Sequence, residues 1–246
     1  MIDRSAFTAV AGARNAADML AVTTHNLANA ATPGFREQLS ALRAVPVLGQ
    51  GHATRVSSVT ATPGFSSRPG ILQATGHAFD LALEGPGWFV VRRDDGSLGY
   101  TRTVELVLDA SGELRVAGRG ALMGEDGPML LPPGSQPEVS EDGVVFARVA
   151  DGSPPVRVGR LQVAEQGPGV VDRGPDGLYQ ALQPLANQAD GLAFVRQGMK
   201  EASNVAPADA MVQMISVSRL FDVSMQVVRS ADQNARTATQ LIGPVR

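Results

Sequence analysis

Glycine and proline are distributed so unevenly along the 246-residue chain that they divide it into three parts. Residues 1–30 contain no proline and a single glycine, Gly12, and residues 208–242 contain neither residue type. Between these ends lie nearly all of the 27 glycines and 16 prolines. Because both residues interrupt helices and favour turns, the pattern predicts a helix at each end and short strands with turns between them.

The C-terminal segment has the clearest periodicity. A helix that begins at Pro207 would carry two sets of small or apolar residues with a spacing of seven: Met214, Phe221, Val228, Ala235 and Ile242, and Ala210, Val217, Ser224, Ala231 and Ala238. This stripe, about four heptads long, predicts a coiled-coil-like seam, and it is also compatible with a helix that packs only within its own chain. A second stripe, Leu220, Val223 and Val227, lies outside the seam and favours packing on more than one side.

The N-terminal segment repeats the pattern with smaller side chains. Ala6, Ala13, Leu20 and Leu27 are spaced by seven, and Ala9, Ala16 and Thr23 fill the complementary register. Alanine permits close approach of a neighbouring helix but buries little area, so this helix would be marginal in isolation.

The central region has the signals of short antiparallel strands. Trp88–Val91 is an apolar run, and a turn-forming stretch at 94–97 separates it from the next run. The predicted fold class is therefore α+β, with long, coiled-coil-like and assembly-forming N- and C-terminal helices flanking an inserted antiparallel all-β domain. The predicted parts are an N-terminal assembly helix (1–30), an extended connector (31–75) with a short helix near 37–44, the β domain (76–196), and a return segment with the C-terminal assembly helix (197–246).

Composition excludes several classes of protein. The chain has no cysteine, which excludes disulfides and thiolate zinc sites. With 21 basic and 24 acidic residues and no basic run, it lacks the charge pattern of a nucleic-acid binder. No apolar run approaches the roughly 20 residues that cross a bilayer, so no membrane insertion is expected. His25, His52 and His77 have no neighbours at metal-ligand spacing, and no catalytic motif is present. We expect no cofactor, no metal site and no enzymatic activity.

Two terminal stretches resemble the signature motifs of bacterial flagellar rod and hook proteins. Residues 24–36 read Thr-His-Asn-Leu-Ala-Asn-Ala-Ala-Thr-Pro-Gly-Phe-Arg, and residues 197–205 read Gln-Gly-Met-Lys-Glu-Ala-Ser-Asn-Val. Residues 80–89 and Tyr100-Thr101-Arg102 resemble the start of the β domain that this family shares. The resemblance transfers the motif positions to Asn26, Leu27, Ala28, Asn29, Gly34, Phe35, Gly198, Glu201, Ser203, Asn204 and Val205.

The resemblance implies a structural subunit of the flagellar basal-body rod, with the greatest similarity to the proximal rod. It implies a hollow drive shaft that transmits torque from motor to hook within the periplasm. Such subunits are exported unfolded through the flagellar type III export apparatus without a cleaved signal peptide. They assemble helically with themselves and with other proximal and distal rod proteins.

Two alternatives remain open on the sequence. One is a distal-rod protein of the same family, and the other is a secreted β-domain binding module or adhesin. For a rod subunit, the expected assembly interface lies on the two helical stripes and comprises Ala6, Ala13, Leu20, Leu27, Met214, Val217, Phe221, Val228, Ala231, Ala235 and Ile242.

Overall fold

The computed structural model describes residues 2–46, 56–149, 153–165, 170–181, 183–187 and 193–241, which form two helices and eighteen strands. The helices are α1 (Ile2–Ala28) and α2 (Pro207–Leu241). The strands are β1 (Gln38–Pro46), β2 (Val56–Phe65), β3 (Leu72–Ala74), β4 (Asp80–Glu84), β5 (Trp88–Arg92), β6 (Leu98–Thr101), β7 (Thr103–Leu108), β8 (Leu114–Val116), β9 (Gly120–Gly124), β10 (Gly127–Pro128), β11 (Ser135–Val139), β12 (Val144–Val149), β13 (Val156–Arg160), β14 (Val163–Ala164), β15 (Val170–Arg173), β16 (Tyr179–Ala181), β17 (Phe194–Gln197) and β18 (Met199–Glu201).

The chain divides into two compact units. The helical unit consists of Met1–Ala30, Gln38–Pro63 and Val205–Arg246, and the β unit consists of Ala31–Glu37 and Gly64–Asn204. The segment 31–75, predicted as a connector, therefore contributes residues to both units. Within the described ranges, neither helix has a stretch both long and apolar enough to cross a membrane.

In the helical unit, α1 and α2 pack against each other along their apolar stripes. Ala13 and Ala16 on α1 and Ala210 and Val217 on α2 are buried. Gly12 lies on the same side of α1, and a Cβ atom added to it would be 3.3 Å from Ser224 Oγ. The small residues thus allow the two helix backbones to approach closely, although each buries little area.

The predicted long, coiled-coil-like helices are wrong as a description of this fold. Two helices accompany a much larger strand-rich region, and they pair with each other within a single chain. The stripes that were expected to meet other chains supply the buried positions of this intramolecular pair. The physical reason is that the two apolar stripes belong to the same chain and can pack against each other. Their pairing buries apolar side chains of both helices without a second chain.

The short helix predicted near 37–44 is also wrong, because Gln38–Pro46 forms β1 and pairs with β2 in a two-stranded ribbon. The Asn26 side chain binds the backbone of the first strand residue twice. Its Nδ2 donates to the Gln38 carbonyl and its Oδ1 accepts from the Gln38 N–H, both at 2.9 Å. Further along α1, Asn15 Nδ2 donates to the Ser58 carbonyl of β2 at 3.0 Å. Two helical asparagines therefore anchor the ribbon. The secondary-structure propensities of residues 37–44 do not reveal these long-range hydrogen bonds.

The β unit is built on an eleven-stranded sheet with the order β15-β16-β6-β5-β9-β8-β7-β4-β17, to which β10 adds on β9 and β14 on β5. A three-stranded sheet, β11-β12-β13, and a two-stranded sheet, β18-β3, complete it. The pairings with a described register are antiparallel. Short turns join sequential pairs such as β5-β6 and β7-β8, whereas pairs such as β5-β9 and β4-β17 bring together strands that are farther apart in the chain.

Two apolar cores lie on either side of β5, because its side chains alternate between the faces of the sheet. Phe89 and Val91 enter the larger core with aliphatic residues of neighbouring strands. Trp88 and Val90 enter a smaller core with Tyr100 and Tyr179. The ring centroids of Trp88 and Tyr179 are 4.7 Å apart. Trp88 is the single tryptophan of the chain, so its fluorescence reports on this core.

Aspartate side chains close two of the turns in the β unit. Asp95 Oδ1 accepts from the Ser97 N–H at 2.8 Å and from its hydroxyl at 2.6 Å. Asp109 Oδ1 accepts the same two bonds from Ser111, at the same distances. Hydrogen bonds from the serine hydroxyls are the main cause that lowers the pKa of Asp95 and the pKa of Asp109.

We expect Gly12→Val to destabilise the helix pair, because the branched side chain would meet Ser224 and force the helices apart. Overpacking of this kind costs about 1–3 kcal/mol. Urea unfolding followed by far-ultraviolet circular dichroism measures the change. Gly12→Ala is the matched control, since a methyl group at 3.3 Å requires only a small shift of the Ser224 hydroxyl and alanine favours helix. Equal stability of the valine variant and the wild type would contradict this packing.

We also expect the β unit to lose stability in acid. Because the folded pKa values of Asp95 and Asp109 are lowered, the unfolded chain binds more protons than the folded chain below an aspartate pKa of about 4. The stabilisation is complete above that pH and decreases as the pH falls through the folded pKa values. Denaturant midpoints followed by Trp88 fluorescence should therefore decrease below this pH. Asp109→Asn should make the dependence shallower, and an unchanged pH profile would argue against the turn.

Candidate functional site

Three segments that carry the motif residues meet inside the β unit at a buried group of charges. Glu201 lies between two arginines. Its Oε1 is 2.8 Å from Arg36 Nη2, and its Oε2 is 2.8 Å from Arg102 Nε. The three side chains are at most 1% exposed. We call this group, together with the surrounding Gly34, Phe35, Tyr179 and Asn204, the motif junction.

The backbone around Arg102 accepts hydrogen bonds from most of the N–H groups of its guanidinium group. Its Nη2 donates to the carbonyls of Leu83 and Gly85 at 2.8 Å each, and its Nη1 donates to the carbonyl of Gly87. Gly85 and Gly87 have φ values of 97° and 120°, a region that other residues rarely adopt. The two glycines thereby let the turn between β4 and β5 wrap its carbonyls around a single guanidinium group.

The hydrogen-bond donors of the Arg36 side chain are less completely paired. Its Nη1 donates to the carbonyls of Ser67 and Arg68, whereas its Nε is buried without a hydrogen-bond partner among the described residues. Burial lowers the pKa of Arg36 to about 10, against the opposing effect of the Glu201 carboxylate. Two buried guanidinium groups depend on one carboxylate, so the loss of Glu201 would leave both charges without an acidic partner.

The two motif stretches are also joined through their backbones. The Gly34 N–H donates to the Glu201 carbonyl at 2.7 Å, and the Asn204 N–H donates to the Phe35 carbonyl at 3.3 Å. The Asn204 side chain accepts from the Glu37 N–H at 2.6 Å and donates to the Arg68 carbonyl at 2.8 Å. These bonds make Asn204 a bridge between segments that are far apart in sequence.

Gly34 and Phe35 occupy positions that few other residues could fill. Gly34 has a φ of 68°, and a Cβ atom there would lie 2.9 Å from Thr103 Cγ2. Phe35 is fully buried. The Tyr179 hydroxyl accepts from the Arg36 N–H at 2.6 Å and lies 3.3 Å from the Gly34 carbonyl, to which it donates. Burial is the main cause that raises the pKa of Tyr179.

The remaining motif residues lie at chain reversals or helix ends. Asn26 anchors β1, and Asn29 Nδ2 donates to the His25 carbonyl at 2.9 Å at the end of α1, which includes Leu27 and Ala28. Gly198 has a φ of 74° between β17 and β18, where its N–H donates to the Asp80 carbonyl at 2.8 Å. Ser203 is half-buried in the β unit, and Val205 is buried in the short segment that leads into α2.

The residues expected at the assembly interface lie on the two paired helices, with burial that differs from residue to residue. Ala13, Val217 and Ala231 are buried, Ala235 is exposed, and Ile242 lies outside the described residues. The others are half-buried: Ala6, Leu20, Leu27, Met214, Phe221 and Val228. The structure thus brings members of both stripes together in one chain. It does not bring them into the motif junction, so the predicted site residues form two separate groups.

Arg36, Arg102 and Tyr179 were missed as site residues. Arg36 ends the first motif stretch and Arg102 ends the Tyr-Thr-Arg match, and the structure buries both side chains. A basic residue in such a position requires an acidic partner. Glu201 is 99 residues from Arg102 in the chain, however, and no local pattern pairs the two. Tyr179 carries no recognisable signal in the sequence.

The motif junction can position segments, but its charged groups are occupied by one another. Among the described residues, no group of three histidines, aspartates or glutamates could hold a metal ion. The chemistry available to the junction is therefore ionic pairing and hydrogen bonding between distant parts of the chain.

Comparison with known proteins relates nearly the whole chain to flagellar components. Residues 196–241 match the family described as flagellar basal body rod FlgEFG protein C-terminal. The chain is 40% identical over 250 residues to the flagellar basal-body rod protein FlgF of Salmonella typhimurium strain LT2, with 98% of this chain and 99% of that protein covered. FlgF of Escherichia coli K12 is 39% identical with the same coverage. The flagellar basal-body rod protein FlgG of Buchnera aphidicola subsp. Schizaphis graminum is 28% identical, and the match covers 89% of this chain and 92% of that protein.

We expect Glu201→Gln to destabilise the β unit by about 3–5 kcal/mol, because the substitution keeps the side-chain shape but leaves two buried guanidinium groups without a counter-charge. Urea unfolding followed by Trp88 fluorescence measures it. Glu141→Gln is the matched control, since Glu141 pairs with Arg196 while being 67% exposed, and an exposed pair contributes less than about 1 kcal/mol. Similar losses in the two variants would contradict the role of Glu201.

Proposed function

The chain belongs to the flagellar basal-body rod protein family, as a structural subunit of the proximal-rod FlgF type, and we propose that its helical unit joins it to neighbouring subunits. The observation that carries this proposal is the apolar surface that remains exposed after α1 and α2 have paired. Large exposed apolar patches on proteins mark surfaces that bind partners.

Several exposed apolar side chains lie on the helices, where burial of the stripes leaves a second apolar set in solvent. On α1, Phe7 is 73% exposed and Val10 is 52% exposed. On α2 the exposed set is Met211, Val212, Ile215, Leu220, Val223 and Val227. Leu220, Val223 and Val227 are the stripe outside the seam in the sequence. The helix pair thus buries one apolar surface between its own helices and leaves another exposed.

We propose distinct contributions for the two sets of helical residues. The seam residues hold α1 and α2 together, and the outer residues bind adjacent copies or other rod proteins. Repeated contacts between two different surfaces of identical subunits build a helical assembly instead of a closed dimer. Seam residues such as Phe221 and Val228 are then needed for incorporation because they form the pair that presents the outer surface.

We propose the remaining parts of the assignment on the strength of family membership. The subunit is exported unfolded through the flagellar type III export apparatus and takes its place in the part of the rod that lies in the periplasm. A chain without cysteine requires no disulfide formation after transit, which supports this route. Its role is structural and not enzymatic, since the buried charges of the motif junction pair with one another. The distal-rod alternative is less well supported, because the FlgG relative of Buchnera is 28% identical.

The test uses a double variant that carries Leu220→Asp and Val223→Asp. This variant is expressed in a motile bacterial strain from which the gene for its own copy of this subunit has been deleted. We expect loss of swimming and absence of the protein from purified basal bodies, because carboxylates cannot be buried against an apolar neighbour. Circular dichroism and Trp88 fluorescence of the purified variant should match those of the wild type. Gln136→Asp adds a charge at an exposed polar position of β11 in the β unit and should leave swimming intact. Normal incorporation of the double variant would refute the outer surface as an interface.

A further inference from the structure

A cavity of about 480 Å³ lies beside the motif junction in the β unit. The described residues that line it are Arg36, Ser67, Pro69, Gly85 and Pro86. Arg36 is the charged member of this lining and is buried, whereas the other four are uncharged and exposed. The cavity is therefore open to solvent at its rim and has a cation at its base.

The buried charges next to this cavity do not balance. Two guanidinium groups, those of Arg36 and Arg102, share the carboxylate of Glu201. Both oxygens of this carboxylate are occupied, because Oε1 also accepts from the Gly70 N–H at 2.8 Å. The three ionic side chains of the junction thus carry one positive charge in excess.

The excess charge falls mainly on Arg36. Backbone carbonyls accept from both Nη atoms of Arg102, whereas the Nε of Arg36 is buried without a partner among the described residues. Burial is the main cause that lowers the pKa of Arg36 to about 10, and the charge of Arg102 lowers it as well. Arg36 is still protonated at neutral pH, so it remains a cation with incomplete compensation at the base of the cavity.

An anion in the cavity would reduce the cost of this charge, because charges attract one another more strongly where little water screens them. The rim adds a second requirement. Pro69 and Pro86 present apolar surface to an occupant, and Ile71, two residues beyond Pro69, is 77% exposed. A carboxylate on a short apolar stem matches both features, and aspartate and glutamate side chains have this form. A phosphate ion matches the charge alone.

We propose that this cavity accepts an aspartate or glutamate side chain of a neighbouring subunit. The carboxylate compensates Arg36, and the methylene stem lies against the two prolines. The neighbouring subunit as the source of that side chain rests on the proposed function, whereas the affinity of the separate protein for a carboxylate does not. Failure of the binding test below would therefore leave the helical assembly surface untouched.

The test titrates the full-length protein with propionate, which has the same end group as a glutamate side chain. Nuclear magnetic resonance follows the Gly85 N–H and the Arg36 Nε–Hε signals. Propionamide has the same shape without the charge, and inorganic phosphate has the charge without the stem. We expect saturable shifts with propionate, weaker binding of phosphate, and no saturation with propionamide or with sodium chloride at equal ionic strength. Saturation by propionamide, phosphate binding as tight as that of propionate, or no saturation with propionate would overturn the proposal.

Two variants of Pro69 test the role of charge at the same position. Pro69→Glu attaches a carboxylate to the rim of the cavity, and Pro69→Gln is its neutral match. We expect the glutamate variant to bind propionate roughly tenfold more weakly than the glutamine variant, because the attached carboxylate already compensates Arg36. Equal affinities of the two would refute the site. Unchanged Trp88 fluorescence verifies that both are folded, and if it differs, the propionamide titration decides.

Arg68→Gln controls for the exposed cation next to Pro69. The Arg68 side chain is 81% exposed, and only its carbonyl takes part in the motif junction. The affinity of this variant for propionate should equal that of the wild type. A loss of binding would assign the anion to the surface arginine and overturn the role of Arg36.

Discussion

The β unit depends on one buried carboxylate. Glu201 compensates two guanidinium groups, those of Arg36 and Arg102, at distances of 2.8 Å and in nearly complete isolation from solvent. Buried charges are costly unless they are paired and hydrogen-bonded, so the backbone around them must supply the remaining acceptors. The carbonyls of the turn between β4 and β5 and those of residues 67 and 68 do so. A single ionic centre thereby determines the course of several distant segments.

The family motifs acquire a physical meaning at this centre. Gly34 is required because a side chain would collide with Thr103, and Asn204 is required because its amide satisfies backbone groups of two segments. Asn26 performs a similar function in the helical unit, where its amide binds both backbone groups of Gln38. Side-chain amides thus replace secondary-structure hydrogen bonds where the chain leaves a regular element.

The two helices illustrate how one apolar pattern can satisfy different partners. The heptad stripes predicted contacts between chains, and the structure uses them to pair α1 with α2. Residues such as Leu220 and Val223, on the second stripe, remain exposed. Periodicity reveals which positions share a helix face, but it does not reveal which partner covers that face. We propose that the rod supplies the cover for the outer face.

The helical ends and the strand-rich middle could be predicted from the sequence, because glycine, proline and apolar spacing act over a few residues, and the motif positions followed from the resemblance to rod proteins. The pairing of the stripes within one chain, the strand at 38–46 and the completion of the junction by Arg36, Arg102 and Tyr179 became visible only in the folded chain. These outcomes rest on contacts between residues distant in sequence, which leave no local pattern.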